Sequence, residues 1–370
     1  MKLFLAFIIA AATAAVAIPI SKEEIDAKSA KGLRLLRLAE GSEPVWKTKA
    51  EMMDLINHDI GFFDVTDYYD PNEEAYREDP SGPTRQSMVN PIIAIMSVGN
   101  LQTYLNQYTT FNNRYYQSTT GVQASDWLFD TINDIIALTS SNATVSRFKH
   151  TWAQSSIIAK FPGRQNGPIT VIGAHLDSIN SGNPSNGRAP GADDDGSGTV
   201  SILEAFRALA ASGFQPLNTV EFQWFSAEEV GLRGSAAIVS SYKSSGVAVK
   251  GMMQMDMTAY VKPGTTEIIG FMQDYTSSSL NAFATSLTKA YNKIPGVSGG
   301  SCGYGCSDHA SYNSNGYPST MPFESTFGDK NNLIHSSGDT TSVSGFSWTH
   351  MLEYSKLAVA FAVELGNATV

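Results

Sequence analysis

This chain lacks a surplus of basic residues: Lys plus Arg is 25 against 35 for Asp plus Glu, a net charge of −10. With no Lys/Arg stripe, the phosphate neutralisation that dominates nucleic-acid affinity is missing. Attraction to an anionic membrane surface is missing too. No apolar run beyond the first seventeen residues is long enough to cross a bilayer, and there is no internal repeat or low-complexity tract. Cysteine is scarce, with two in 370 residues. What is plentiful is apolar surface. Hydrophobic residues make up 42% and aromatics 10%, which permits a sizeable core and excludes global disorder. The length allows one large domain or two modest ones. The excess of carboxylates suits a protein that holds divalent cations.

The first seventeen residues read as an address. Lys2 precedes an apolar run from Leu3 to Val16, and Ala15-Val16-Ala17 fits a small-x-small cleavage site. The run is about 14 residues, too short for a ~30 Å hydrocarbon core. The expectation is a signal peptide over 1–17 and a secreted, soluble product. In an oxidising compartment Cys302 and Cys306, with no third cysteine, read as a disulfide. So short a loop gives about 2 kcal/mol by chain entropy, so its expected role is local, shaping a Gly-rich loop. Asn-x-Thr sequons at Asn142 and Asn367 are expected glycosylation positions.

From Ile18 to about Pro83 the composition differs from that of the rest of the chain. Lys22 to Glu40 alternates charges with leucines and reads as a helix. Asp64 to Asp79 is acidic and closes in Asp79-Pro80-Ser81-Gly82-Pro83, an exposed, cleavable linker. The expectation is a removable propeptide over 18–83, with its boundary between 78 and 88, and a catalytic domain over 84–370. Beyond Met88, helices and strands alternate. Helices are expected over Ser125–Leu138 with Ser125 as cap, Ser197–Ala211, Ser278–Tyr291 and Phe346–Leu365. Strands are expected over Ser155–Phe161, Ile169–Ala174, Thr219–Phe225, Gly251–Met255 and Glu267–Met272. This order implies an α/β fold, a three-layer sandwich with a mostly parallel central sheet and helices on both faces.

Potential ligands or acid–base groups follow those strands repeatedly. Ile169–Ala174 runs into His175-Leu176-Asp177, Thr219–Phe225 into Ser226-Ala227-Glu228-Glu229, and Gly251–Met255 into Asp256. Asp193-Asp194-Asp195 precedes a helix opening at Ser197. Ligands in open α/β sheets bind outside the carboxyl ends of strands. Carboxylates converging there with an imidazole suit zinc, and burying them without a cation would be costly. Successive extended residues point opposite ways, so one of Glu228 and Glu229 can face a metal while the other faces a water. The same geometry allows one close ligand among the three aspartates and does not choose it.

These stretches, with Cys302-Gly303-Tyr304-Gly305-Cys306-Ser307-Asp308-His309, Met321-Pro322-Phe323-Glu324-Ser325 and Ile334-His335-Ser336-Ser337-Gly338-Asp339, resemble the secreted di-zinc leucyl aminopeptidases of bacteria and fungi. The likeness runs from about Met88 to Val370. It implies a zinc-peptidase fold and two Zn2+ per chain. Asp194 would bridge them, with His175 and Asp256 on one ion and Glu229 and His335 on the other. It also implies Glu228 as general base and Asp177 orienting His175. Met257, Tyr304, Met321, Phe323, Phe327 and Ile334 would line a pocket for a Leu-like or aromatic first residue. The implied protein is a monomeric zymogen acting on peptides with a free N-terminus, with no nucleic-acid or membrane partner. Two cations would lower a water's pKa toward ~7 and stabilise the tetrahedral oxyanion. His58, His150 and His350 read as outside the site, and His309 as structural. Other enzymes on this fold, such as a carboxypeptidase or glutaminyl cyclase, are the alternatives. A non-catalytic binding protein would be expected to lack ligands or the base, and all are present here.

Overall fold

Gly32 (φ +76°) ends the first helix and turns the chain into a strand. The computed structural model describes residues 20–58, 60–69 and 82–368; the expected signal peptide and most of the acidic linker lie outside these. The N-terminal segment consists of α1 (Lys22–Ser29), β1 (Leu33–Arg37), β2 (Val45–Thr48), α2 (Lys49–Asn57) and β3 (Phe63–Asp64). Its strands form an antiparallel sheet in the order β2-β1-β3. The leucines expected on a helix over 22–40 are therefore largely on β1. Leu35 and Leu36 are both fully buried, one on each face, which strand alternation provides.

The body continues with α3 (Gln86–Ala94), α4 (Val98–Tyr108), α5 (Thr119–Thr139), β4 (Thr144–Phe148), β5 (Ser156–Phe161), β6 (Ile169–His175), α6 (Gly196–Ala211) and β7 (Val220–Phe225). Next come α7 (Arg233–Ser244), β8 (Val249–Gln254), β9 (Ile269–Met272), α8 (Ser278–Tyr291), β10 (Gly296–Gly300), α9 (His309–Asn313), β11 (Ser319–Thr320), β12 (Pro322–Phe323) and α10 (Trp348–Gly366). Ser118, not Ser125, caps α5, accepting from Gly121 N at 2.9 Å. Ser125 is inside the helix, and Leu138 faces solvent at 86% exposure.

The main sheet has six strands in the order β11-β8-β6-β7-β5-β4. Pairings from β11 to β7 are parallel; β7–β5 and β5–β4 are antiparallel. The sheet is thus mixed, its parallel half holding the strand ends that matter. One face buries Ile172, Phe222 and Trp224 against α5, α6, α8 and α10. The other buries Val171, Phe225 and Met252 with Ile238 and Val239 of α7 and Tyr312 of α9. Each such side chain contributes about 1.5–3 kcal/mol. Among the described residues no helix is long and apolar enough to cross a membrane.

Candidate active site

Register brings the strand ends together. His175 pairs with Phe225 across β6–β7, and Gly173 pairs with Gln254 across β6–β8, so Asp256 lies level with His175. Beyond these ends the backbone is left-handed at Ala227 (φ +61°) and Met257 (φ +54°), and also at His335 (φ +54°). Such conformations in non-glycine residues cost free energy and cluster at functional sites. The peptide between Asp194 and Asp195 is cis.

Asp194 stands between the two histidines. Its Oδ1 is 3.0 Å from His175 Nε2, and its Oδ2 is 3.1 Å from His335 Nε2. His175 Nε2 is also 3.6 Å from Asp256 Oδ1 and 4.0 Å from Glu228 Oε2. His335 Nε2 is 3.1 Å from Glu229 Oε2. The structure thus gathers all six residues that the sequence marked as ligands or base. Asp177 lies behind them. Its Oδ1 accepts from Glu228 N at 3.0 Å, its Oδ2 accepts from Glu229 N at 3.3 Å, and Oδ1 is 3.6 Å from His175 Nδ1. One buried carboxylate therefore holds the backbone of both glutamates and lies beside the imidazole.

Titration follows from this crowding. Burial, with help from Asp308, Asp256 and Glu229, holds Glu228 well above the usual carboxylate range, although His175 opposes it. Burial and then Asp194 push Glu229 up to about 7. Burial would also raise Asp194, but the close imidazoles of His175 and His335 prevail and lower it. Both imidazoles are raised, as their carboxylate neighbours outweigh the burial that favours the neutral ring. The cluster calls for positive charge. Neither ring nitrogen of His175 makes a well-directed hydrogen bond, though the side chain is buried. Ligand atoms of His175, Asp194 and Glu229, and likewise of His175, Asp195 and Asp256, lie within 4.8 Å of one another. Imidazole nitrogens and carboxylate oxygens so placed fit divalent cations.

Several supporting residues were not singled out from the sequence. Asp195 caps α6 through Gly198 N (2.9 Å) and accepts from His175 N (3.0 Å) and Met257 N (3.2 Å). This backbone role was legible only as one of three aspartates. Asp339, four residues beyond His335, accepts from Asp194 N at 3.0 Å. Arg114 is fully buried. Its Nε donates to Leu176 O (3.0 Å) and its Nη2 to Gly191 O (2.9 Å), fastening the β6 end to the aspartate loop. No local pattern distinguishes such an arginine from a surface one.

A pocket open to solvent lies beside the cluster, and all six expected residues line it with Asp194, Glu228, Glu229, Asp256 and His335. Cys302 and Cys306 are bonded, and Asp274 holds their loop by accepting from Cys302 N (3.2 Å) and Gly303 N (2.6 Å). Ile56, Ile60, Gly61 and Phe62 of the N-terminal segment form another wall. Gly61 sits against Tyr304 so closely that a Cβ there would lie 1.6 Å from Tyr304 Cε2.

Other expected residues fall outside. His58 is exposed, His150 stacks on Trp152, and His350 bonds Glu267 and the Glu324 carbonyl. His309 is buried, and that burial lowers its pKa to about 4. Asn142 is exposed. Asn367 is 7% exposed, accepts from Leu217 N at 3.1 Å and donates its Nδ2 to Val363 O at 2.9 Å. A glycan on that nitrogen would displace it from the helix end.

A family model described as peptidase family M28 matches residues 156–362. Leucine aminopeptidase 1 of Coccidioides posadasii is 43% identical over 342 residues, covering 87% of this chain and 87% of that protein. The Neurospora crassa protein of the same name is 41% identical over 338 residues, covering 87% and 83%. Among solved structures, the Legionella pneumophila LapA aminopeptidase superposes with a TM-score of 0.81 at 29% identity, covering 93% of this chain and 97% of that one. A Tannerella forsythia glutaminyl cyclase, at TM-score 0.60 and 14% identity over 74% and 99%, shares the fold alone.

Proposed function

The chain belongs to peptidase family M28, among its leucine aminopeptidases, and from that premise we propose that it is a secreted two-zinc aminopeptidase made as a zymogen. It releases Leu-like or aromatic first residues from peptides with a free N-terminus. The observation that carries this is the Asp194 carboxylate, with one oxygen 3.0 Å from His175 and the other 3.1 Å from His335. A carboxylate that presents one oxygen to each imidazole could be shared by two neighbouring cations. His175 and Asp256 would hold one zinc, Glu229 and His335 the other, and Asp194 both. When bound, the pair supplies Lewis acidity that sharpens a water and stabilises the oxyanion.

The chain's own residues do the rest. Glu228, 12% exposed at the pocket wall, takes the proton from the attacking water and delivers it to the leaving amine. Asp177 fixes the peptide bearing Glu228, and Arg114 fixes the loops bearing His175 and Asp194. Met257, Met321, Phe323 and their neighbours receive the apolar side chain of the first residue.

The zymogen reading is supported by residues 60–62 at the mouth of the site, and secretion by the disulfide and by the leader-like first seventeen residues. The test is metal analysis with kinetics on wild type and Glu228→Ala. We expect about two zinc per chain in both, and a loss of kcat of about 10²–10⁴-fold in the variant. A variant that keeps its turnover would remove Glu228 from this role.

A further inference from the structure

The site has two apolar flanks of different origin. Met257, Met272, Met321 and Phe323 pack with Phe327 and Ile334 on the pocket side. On the Glu228 side a separate ledge combines Tyr115, Tyr116, Ile179 and Val230, with Trp152 against it. This ledge is continuous with the chemistry. Val230 follows Glu229, Ile179 lies two residues beyond Asp177, and Trp152 Nε1 donates to Ser226 Oγ at 3.0 Å, two residues before Glu228. Tyr116 and Trp152 meet edge-on at 5.8 Å, and the Arg233 guanidinium lies 4.7 Å over the Trp152 ring. In the full chain the ledge is covered by Leu36, Met52, Ile56 and Phe62 of the N-terminal segment.

Removal of that segment would leave an aromatic patch bordering the active site. Patches of this kind mark interaction surfaces, and rigid Tyr and Trp are common anchors. The direction of the substrate says what lands there. A base that returns its proton to the departing amine must reach that nitrogen. The amine belongs to the second residue. With the first side chain in the Met/Phe pocket, the second and later residues leave past Glu228, whose own loop bonds Trp152 through Ser226 and carries Ala227 and Val230 into the ledge cluster. The segment itself shows which chemistry the ledge accepts, since Ile56 and Phe62 occupy it.

We propose that, once residues 18–83 are gone, the Tyr115–Tyr116–Trp152–Ile179–Val230 ledge docks residues three to five of the peptide substrate and selects apolar side chains there. This rests on the reading of the chain as a zymogen aminopeptidase. The experiment takes the full chain, loads it with zinc, cleaves it in the 78–88 region and compares three substrates that share a first leucine. They are a leucine anilide, Leu-Gly-Gly-Gly-Gly and Leu-Gly-Phe-Leu-Gly. The expected result is a kcat/KM about tenfold higher for the apolar pentapeptide than for the glycine one, mostly through KM. Trp152→Ala should bring that ratio close to one. The wild-type ratio needs no variant to fold. A ratio within twofold of one in the cleaved wild type overturns the proposal, as does a Trp152→Ala protein that keeps the full ratio. Hydrolysis of the anilide with no pentapeptide preference overturns the ledge alone. A cleaved protein inactive even on the anilide counts against the parent reading and the ledge together.

Discussion

Gly61 offers the most direct handle on the cover. A methyl group at this position would lie 1.6, 2.2 and 2.3 Å from three atoms of the Tyr304 ring. Those overlaps cannot be absorbed without displacing the ring or the segment. Overpacking of this kind costs about 1–3 kcal/mol. If the segment yields, the closed form loses that amount relative to the open one. At about 1.4 kcal/mol per tenfold, the open population rises about 5- to 150-fold. The assay is leucine anilide hydrolysis by the uncut, zinc-loaded full chain, expressed as a ratio to the same protein after cleavage. The ratio cancels any direct effect of the substitution on the pocket. Gly61→Ala should raise it by that factor, up to a ceiling of one. Because Tyr304 is the clashing partner, Gly61→Ala combined with Tyr304→Ala should restore the wild-type ratio. A Gly61→Ala precursor with an unchanged ratio would show that Tyr304 simply swings aside, and that closure does not depend on this contact.

Two further outcomes are expected. Burial lowers the pKa of His309 from 6.5 to about 4, so the folded state holds it neutral while the unfolded chain protonates. Its stabilisation is therefore full above pH 6.5 and declines as pH falls toward 4, by about 3 kcal/mol at most. Urea midpoints at pH 7 and pH 4.5 should differ more in wild type than in His309→Gln, and equal slopes would exclude His309 as the source. Phe323→Ala enlarges the pocket and should change the relative kcat/KM for first-residue leucine, methionine and phenylalanine by about tenfold. Unaltered relative rates would remove Phe323 from the wall.

The body of the fold was legible because its strands and helices carry strong periodicity and end where Gly or a cap appears. Ser278–Tyr291 coincides with α8, and Ile169–Ala174 falls one residue short of β6. The acid and imidazole groups after β6, β7 and β8 were visible because parallel strands put their carboxyl ends on one edge. The N-terminal leucines misled because a charged-apolar alternation fits both periods, and only burial on both faces of β1 decides between them. Arg114 and Asp339 act across 62 and 145 residues of chain on partners no local pattern names. Asn367 carries a valid sequon, but its amide closes the end of α10. The antiparallel pairings at β4–β5–β7 likewise depend on where the chain returns, which strand-by-strand reading does not give.

The N-terminal sheet shares no strand with the sheet behind the site; the two are separate ladders among the described residues. Its grip is mainly side-chain packing, with Asp64 N to Gly231 O at 3.2 Å as a main-chain link. Nothing in the catalytic architecture has to unzip for it to depart. While the linker is whole, such a module is held at an effective concentration in the millimolar range. On the zymogen reading proposed above, a single proteolytic nick would turn that tethered contact into an ordinary encounter between two molecules, and dilution into the surroundings would become the signal that switches the enzyme on.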